Sequence, residues 1–309
     1  DELFVSVASR KTHPRRPSSQ APMSQVTTQT EASDKALLTY SALNTFRNCQ
    51  RKYKHRYIDC LRPRRNAEAL SFGAAVHSAI ERWYRLVGND DRLQTVLKEI
   101  DTQFPNRTTD DSQQSGWRLA RAILTGYTQR YPDEDFGIVE VEKTFNAEIR
   151  NPETGRLSQT FVMAGKVDAI VQCHDGMYLL EHKTAASIDS NYLDKLWTDT
   201  QIALYSFFLR QLGYAIVGVI YNVLLKSRLQ QYRGETQAEY EARRTELAAK
   251  NKSGKSTAKR QMPETDAEFE TRLGQWYSRP EAFHREFIYL SDDRLAMLQD
   301  EVWEITQQY

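Results

Sequence analysis

Residues 165–183, GKVDAIVQCHDGMYLLEHK, constrain the fold of this 309-residue chain more than any other stretch. Two apolar runs, 167–172 and 177–180, flank His174-Asp175-Gly176. Asp-Gly between two strand-like runs predicts a hairpin, because glycine supplies the positive φ of a tight turn. Side chains alternate faces along a strand, so Glu181 and Lys183 share one face and His182 takes the other. In simple register the hairpin brings Asp168 beside Glu181. Two carboxylates and an ammonium then meet at the edge of an otherwise apolar sheet, where charge is costly unless paired or bound to metal.

Two readings of this cluster stand side by side. In the plain one, Lys183 pairs with an acid and all three are polar strand-end residues facing water. In the other, Asp168 and Glu181 are hard oxygen ligands for Mg²⁺ or Mn²⁺. Lys183 then orients or deprotonates a water, or neutralises charge developing on a phosphoryl group.

The rest of the chain narrows the context. Residues 1–34 are rich in Ser, Thr, Gln and Pro and show no hydrophobic period, which predicts a disordered tail. From Leu37 a helix follows, capped by Thr39 or Ser41. Its second half interleaves Arg47, Arg51, Lys52, Lys54 and Arg56 with Tyr53 and Tyr57. That run is either a solvated face or a strip that tracks a phosphate backbone, with tyrosines stacking on bases. Residues 69–87 and 91–131 read as helices, the first carrying His77. Residues 137–150 and 161–171 alternate as strands, 192–212 reads as one helix, and 215–225 as a buried strand. Residues 226–262 are a basic insertion or loop, with 252–259 reading as its mobile part, and 263–309 a helix–strand–helix. The net charge of +1 leaves room only for a local nucleic-acid footprint. Three scattered cysteines form no disulfide framework and suit a reducing, cytoplasmic-type compartment.

One order of signals ties these pieces together. A helix bearing His77 is followed by an acid in GKVD, by Glu181-His182-Lys183 across a hairpin, and by a helix with Gln201 and Tyr205 in Q-x-x-x-Y spacing. This order resembles the PD-(D/E)XK nuclease superfamily, in its RecB-like branch of CRISPR-adaptation nucleases and phage-type exonucleases, from about residue 41 to 225. The resemblance implies an α/β fold: a restriction-endonuclease-like core with a small mixed central sheet flanked by helices, plus a helical N-terminal region. It places a single nuclease domain over 35–309, with the helical part at 35–135 and the catalytic core at 136–225. His77, Asp168 and Glu181 are then the metal ligands, with the backbone carbonyl of His182. Asp168, Glu181 and Lys183 are the catalytic set. Gln201 and Tyr205 position the substrate, and Arg51 and Tyr53 extend the contact. The implied activity is Mg²⁺- or Mn²⁺-dependent hydrolysis of DNA phosphodiesters, as an exonuclease on single strands or ends. The competing function is an inactive DNA-binding or scaffold protein on the same fold. A small phosphoester substrate would need neither the Arg–Tyr run nor the basic insertion.

Cys49 sits where many RecB-like nucleases place the first ligand of a [4Fe–4S] cluster. Four thiolates are needed, and Cys60 and Cys173 have the wrong spacing. The chain opens on Asp1, and the helical period of Leu295, Leu298, Val302 and Ile305 still runs at its end. Both ends read as cut, with a cluster expected only if three further cysteines lie beyond residue 309. In that case Cys49 belongs beside the last helix.

Overall fold

The computed structural model describes residues 4–6, 35–64 and 68–308. Most of the expected tail lies outside these residues. Within it, β1 (Phe4–Ser6) pairs antiparallel with Leu61–Pro63.

The chain then runs β2 (Ala36–Thr39), α1 (Tyr40–Asn48), α2 (Gln50–Tyr53), a π-helical turn (Lys54–Ile58) and β3 (Leu61–Pro63). Thr39 caps α1 by accepting from the Ala42 N–H, as expected. Three helices follow: α3 (Glu68–Arg85), α4 (Arg92–Gln103) and α5 (Asp111–Arg130). Val76, Ile80 and Tyr84 recur every fourth residue and are buried, which fixes the inward face of α3. The single helix expected over 91–131 is in fact two. Pro105 forces Phe104 out of helical geometry, and Asp110 starts α5 by accepting from the Ser112 and Gln113 N–H groups.

The sheet comes next. β4 (Gly137–Arg150), β5 (Leu157–Cys173) and β6 (Gly176–Ala185) form an antiparallel meander, with Cys173 opposite Gly176 across the expected Asp-Gly turn. Two helices, α6 (Ser190–Trp197) and α7 (Thr200–Gln211), replace the one expected over 192–212. Asp199 breaks the run, because its side chain accepts from the Gln201 N–H and caps α7. The buried strand β7 (Ile216–Leu225) pairs parallel with β6. α8 (Gln237–Lys250), α9 (Asp266–Tyr277), β8 (Phe283–Tyr289) and α10 (Asp292–Thr306) complete the chain. The basic insertion thus contains a helix, while residues 252–259, expected as a loop, are neither helix nor strand. A Thr236–Glu239 capping box that starts α8 was its overlooked signal.

Among the described residues the main sheet has six strands in the order β2-β5-β6-β7-β8, with β4 on the other edge of β5. β2–β5 and β6–β7 are parallel and the remaining pairs antiparallel, so the sheet is mixed. Helices cover both faces, which is why β7 reads as a near-continuous apolar run. One face packs Leu43, Leu204, Phe208 and Val302 from α1, α7 and α10. The other packs Ile80, Ile100, Ile123 and Phe269 from α3, α4, α5 and α9.

The α5–α9 contact is close enough to exclude a methyl group. A Cβ on Gly126 would lie 2.7 Å from Tyr277 Cβ and 2.9 Å from the Tyr277 carbonyl oxygen. Gly126→Ala is expected to destabilise the protein by about 1–3 kcal/mol, since backbone must shift to admit the methyl. Urea unfolding measures this, and an unchanged midpoint would show that the helices part freely.

Candidate active site

The edge of β5 is shared by two strands, and they leave a gap. β2 pairs with residues 161–164 of β5 and β6 pairs with residues 169–173, so positions 165–168 have no ladder partner on that side. On the opposite edge Val141 faces Ala169 and Lys143 faces Val167, while Glu142 between them takes φ 54°. For a non-glycine residue that conformation costs roughly 1–3 kcal/mol and clusters at functional sites. Asp168 therefore sits where the pleat is interrupted on both edges. Its carboxylate takes over a lost ladder bond: Oδ2 accepts from the His182 N–H at 2.7 Å.

This fork gathers most of the expected site. Ala169 faces Leu180 as the last paired step of the hairpin, so Asp168 and Glu181 are the first residues beyond it, one on each strand. Lys183 Nζ donates to Glu181 Oε1 at 2.6 Å. His77 Nδ1 on α3 lies 3.3 Å from Asp168 Oδ2. Gly73, one turn earlier on α3, lies over the end of β6, where even a Cβ would make only ordinary contact with Thr184 Oγ1 at 3.8 Å.

The charges show strain. Burial pushes the Glu181 carboxyl up to about 7, and the Asp168 charge adds to it, against the pull of Lys183. Burial would raise Asp168 too, but the hydrogen bond and charge of His77 hold it down to about 2. Burial works against protonated His77, yet Asp168 and Glu181 raise its pKa. Lys183 is raised as well, with Glu181 and Asp199 overcoming its burial, so it is an ammonium and a proton donor.

The site suits a hard divalent cation by its chemistry: two carboxylates, one of them rejecting its charge, an imidazole and the carbonyl of His182 on the unpaired edge of β6. As the side chains stand, however, no three His, Cys, Asp or Glu groups among the described residues gather about a common point. His77, expected as a ligand beside the two acids, does lie against Asp168, and the three groups are engaged separately. Glu181 engages Lys183, and Asp168 engages His77 and His182.

His182 turns to the other face, as alternation requires, and there it meets a polar row that sequence reasoning missed. Its Nδ1 accepts from Asn222 Nδ2 at 2.9 Å, and Asn222 also donates to the Tyr127 hydroxyl at 3.1 Å. Arg285, opposite Asn222 on β8, donates to Tyr127 at 3.2 Å and to both oxygens of Glu134 at 2.7 and 2.8 Å. The Tyr84 hydroxyl closes the row on Glu134 at 2.8 Å, and its ring stacks on His182. Burial holds the His182 imidazole neutral, down to about 3. The row locks the residue between Glu181 and Lys183, so the carbonyl expected to face an ion is fixed from behind. Arg285→Ala leaves Glu134 buried without its partner and should cost about 3–5 kcal/mol. Denaturant unfolding reads this, and a loss below 1 kcal/mol would mean that water replaces the guanidinium.

The outer residues sort differently. Gln201 hydrogen-bonds the Tyr205 hydroxyl, which also bonds the Tyr40 backbone. Tyr205 is buried with its ring edge-on to Phe145, so it braces the Glu181 side of the site from within the core. Asp199, unforeseen, bonds the Tyr221 hydroxyl and adds negative charge near Lys183. A lone Asp before a helical run was its signal. Arg51 is exposed on α2, whereas Tyr53 packs against Phe46 and Tyr57, so its ring is committed to that turn rather than free to stack on a base. Cys49 is exposed and caps α2 through Sγ, and Arg47 beside it pairs with Glu301 on α10. Cys49, Cys60 and Cys173 form no metal-holding group among the described residues.

A sequence model of the PD-(D/E)XK nuclease superfamily matches residues 37–289. No curated protein matches. A solved structure, "Crystal structure of SSO0001", aligns at 11% identity over 74% of this chain and 74% of that one, with a TM-score of 0.28. No described helix is long and apolar enough to cross a membrane. The family match spans every residue of the fork, from His77 on α3 to Lys183 on β6, and the chain belongs to the PD-(D/E)XK nuclease superfamily.

Proposed function

We propose that this chain hydrolyses DNA phosphodiester bonds with Mg²⁺ or Mn²⁺, as an exonuclease acting on single strands or ends. One observation carries the reading: Asp168, Glu181 and Lys183 converge at a break in the sheet, with His77 held on Asp168. Charged residues would not be spent on so buried a fork for stability alone, because desolvation there outweighs their pairing.

Asp168, Glu181, His77 and the His182 carbonyl would hold the ion, which supplies Lewis acidity and an activated water when bound. Lys183 stands on the same strand face as Glu181 and donates to anionic oxygen. Its ammonium is aimed at charge that grows on the phosphoryl group during in-line displacement. Tyr205 and Gln201 keep α7 and the Glu181 side of the site in register. His182, fixed by Asn222, keeps the spacing between Glu181 and Lys183.

Labelled single- and double-stranded DNA incubated with Mg²⁺ or Mn²⁺ tests this, with a chelator arm and Asp168→Asn as controls. Shortening from one end that stops with chelator is the expected result. Binding without metal-dependent cleavage would favour the inactive scaffold, and internal cuts would replace the exonuclease reading.

A further inference from the structure

The insertion after β7 is built as an arm. Gln231 and Tyr232 join Glu264 at its stem: Glu264 N donates to the Tyr232 carbonyl at 2.9 Å, Tyr232 N donates to Glu264 Oε2 at 3.0 Å, and Gln231 Nε2 donates to the Glu264 carbonyl at 3.0 Å. Arg272 on α9 grips the Glu264 carboxylate at 2.7 and 2.8 Å, which ties the stem to the body of the protein. Along the arm α8 is lashed to the returning chain: Tyr240 donates to the Ala258 carbonyl at 3.1 Å, and Arg243 to the Lys259 carbonyl at 2.8 Å. The arm is thus ordered by its own bonds. It adds nothing to the core, for no residue of α8 is buried.

Its charge is one-signed where it is most exposed. Residues 250–260 hold five basic residues and no acid. Four of the five acids of the arm and its stem are engaged, in Arg233–Glu239, Arg243–Glu235, Lys250–Glu246 and Arg272–Glu264 pairs, and the fifth, Glu241, accepts from the Gln237 amide. Arg244, Lys252, Lys255 and Lys259 are exposed and make no ion pair among the described residues. The root of the arm lies at the mouth of the fork. Lys226 N donates to the Ala185 carbonyl at 2.7 Å, two residues past Lys183, and Arg228 reaches the Ala186 carbonyl at 3.4 Å. Lys226 Nζ lies 5.9 Å from the Phe72 ring on α3, the helix that carries His77. Lys226 and Arg228 thus set two cations at the arm's root, beside the end of the strand that carries Lys183.

We infer that this arm is a clamp for double-helical DNA flanking the end being cut, binding its phosphate backbone without reading bases. The inference rests on the nuclease reading for its starting point at the fork. Duplex is favoured over single strand by what the arm lacks. Single-strand sites combine cations with aromatic platforms; the arm's two tyrosines, Tyr232 and Tyr240, hold the returning chain through hydroxyl bonds to Gln261 and the Ala258 carbonyl, and no aromatic residue occurs from Glu241 to Glu268. The 14 residues of α8 rise about 21 Å, which spans about six base pairs at roughly 3.4 Å each.

The test replaces the four free cations in the full chain (Arg244→Gln, Lys252→Gln, Lys255→Gln, Lys259→Gln). Binding is measured with chelator present, against a blunt duplex and a single strand of equal length, over a series of salt concentrations. Duplex affinity should fall at least about tenfold, and the slope of log K against log salt should drop by about four, near one per lost phosphate contact. Single-strand affinity should hold, and in cleavage of duplex the loss should fall on KM rather than kcat. All four side chains are exposed, so the fold should survive; the Lys252→Gln, Lys255→Gln pair alone should give about half the change in slope. An unchanged slope on duplex overturns the clamp, as does an equal loss on single strands, or a wild-type chain that binds no DNA. A wild-type chain that binds duplex through the arm yet cleaves nothing would sink the nuclease reading and leave the clamp standing.

Discussion

Asp168→Asn should fold and lose cleavage by at least about a thousandfold, a barrier rise of roughly 4 kcal/mol. The substitution keeps shape and removes charge. Its amide oxygen can still accept from the His182 N–H, now bonded at 2.7 Å, so the junction of β5 and β6 is preserved. Its NH₂ can donate to His77 Nδ1, which lies within 3.4 Å of the carboxylate. What disappears is the anion that stays ionised while its neighbour Glu181 is pushed towards neutrality. A hard divalent ion held by one reluctant carboxylate and an imidazole binds poorly. Single-turnover cleavage in saturating Mg²⁺ measures the loss, and thermal unfolding without metal checks the fold. Activity within tenfold of the wild type would take Asp168 out of the centre.

The legible part of this protein was the part governed by alternation. The hairpin from Asp168 to Lys183 follows from two apolar runs and an Asp-Gly step, and β6 places Glu181, His182 and Lys183 on the faces that period two dictates. β7 was readable as a strand buried on both faces because nothing in it but Asn222 is polar. Breaks in helices were less legible. Pro105 and Asp199 each divide a run whose apolar period continues across them, and the period outweighed the punctuation. α8 escaped because it buries nothing, so no hydrophobic stripe marks it; its capping box alone carried the information. Least legible was the row from His182 through Asn222 and Tyr127 to Glu134 and Arg285. Its members lie up to 158 residues apart, and only the sheet order brings them into line. A lone Asn inside VIYNVLL was a clue, since a buried amide needs partners. The sequence could not say which.

Lys183→Ala should separate binding of the ion from the chemistry. The mutant should bind Mn²⁺ at least as tightly as the wild type, and cleave at least about tenfold more slowly, a barrier rise above roughly 1.4 kcal/mol. The first expectation follows from the 2.6 Å contact between Nζ and Glu181 Oε1. In this structure the ammonium engages one of the two Glu181 oxygens, and a metal held by this carboxylate would compete with it. Taking Lys183 away frees Glu181 as a ligand and also removes a positive charge from the site. The second follows from the raised pKa of Lys183, which keeps it protonated and able to steady an anionic phosphoryl oxygen. Asp168→Asn should do the reverse in the first measurement, weakening Mn²⁺ binding, while both variants lose turnover. Calorimetric titration with Mn²⁺ beside single-turnover cleavage reads the two effects independently. Full activity in Lys183→Ala would remove the lysine from the mechanism. Weakened Mn²⁺ binding with a matching loss of rate would recast it as a residue that holds Glu181 in place, because the defect would then belong to the ligand set and not to the phosphoryl group.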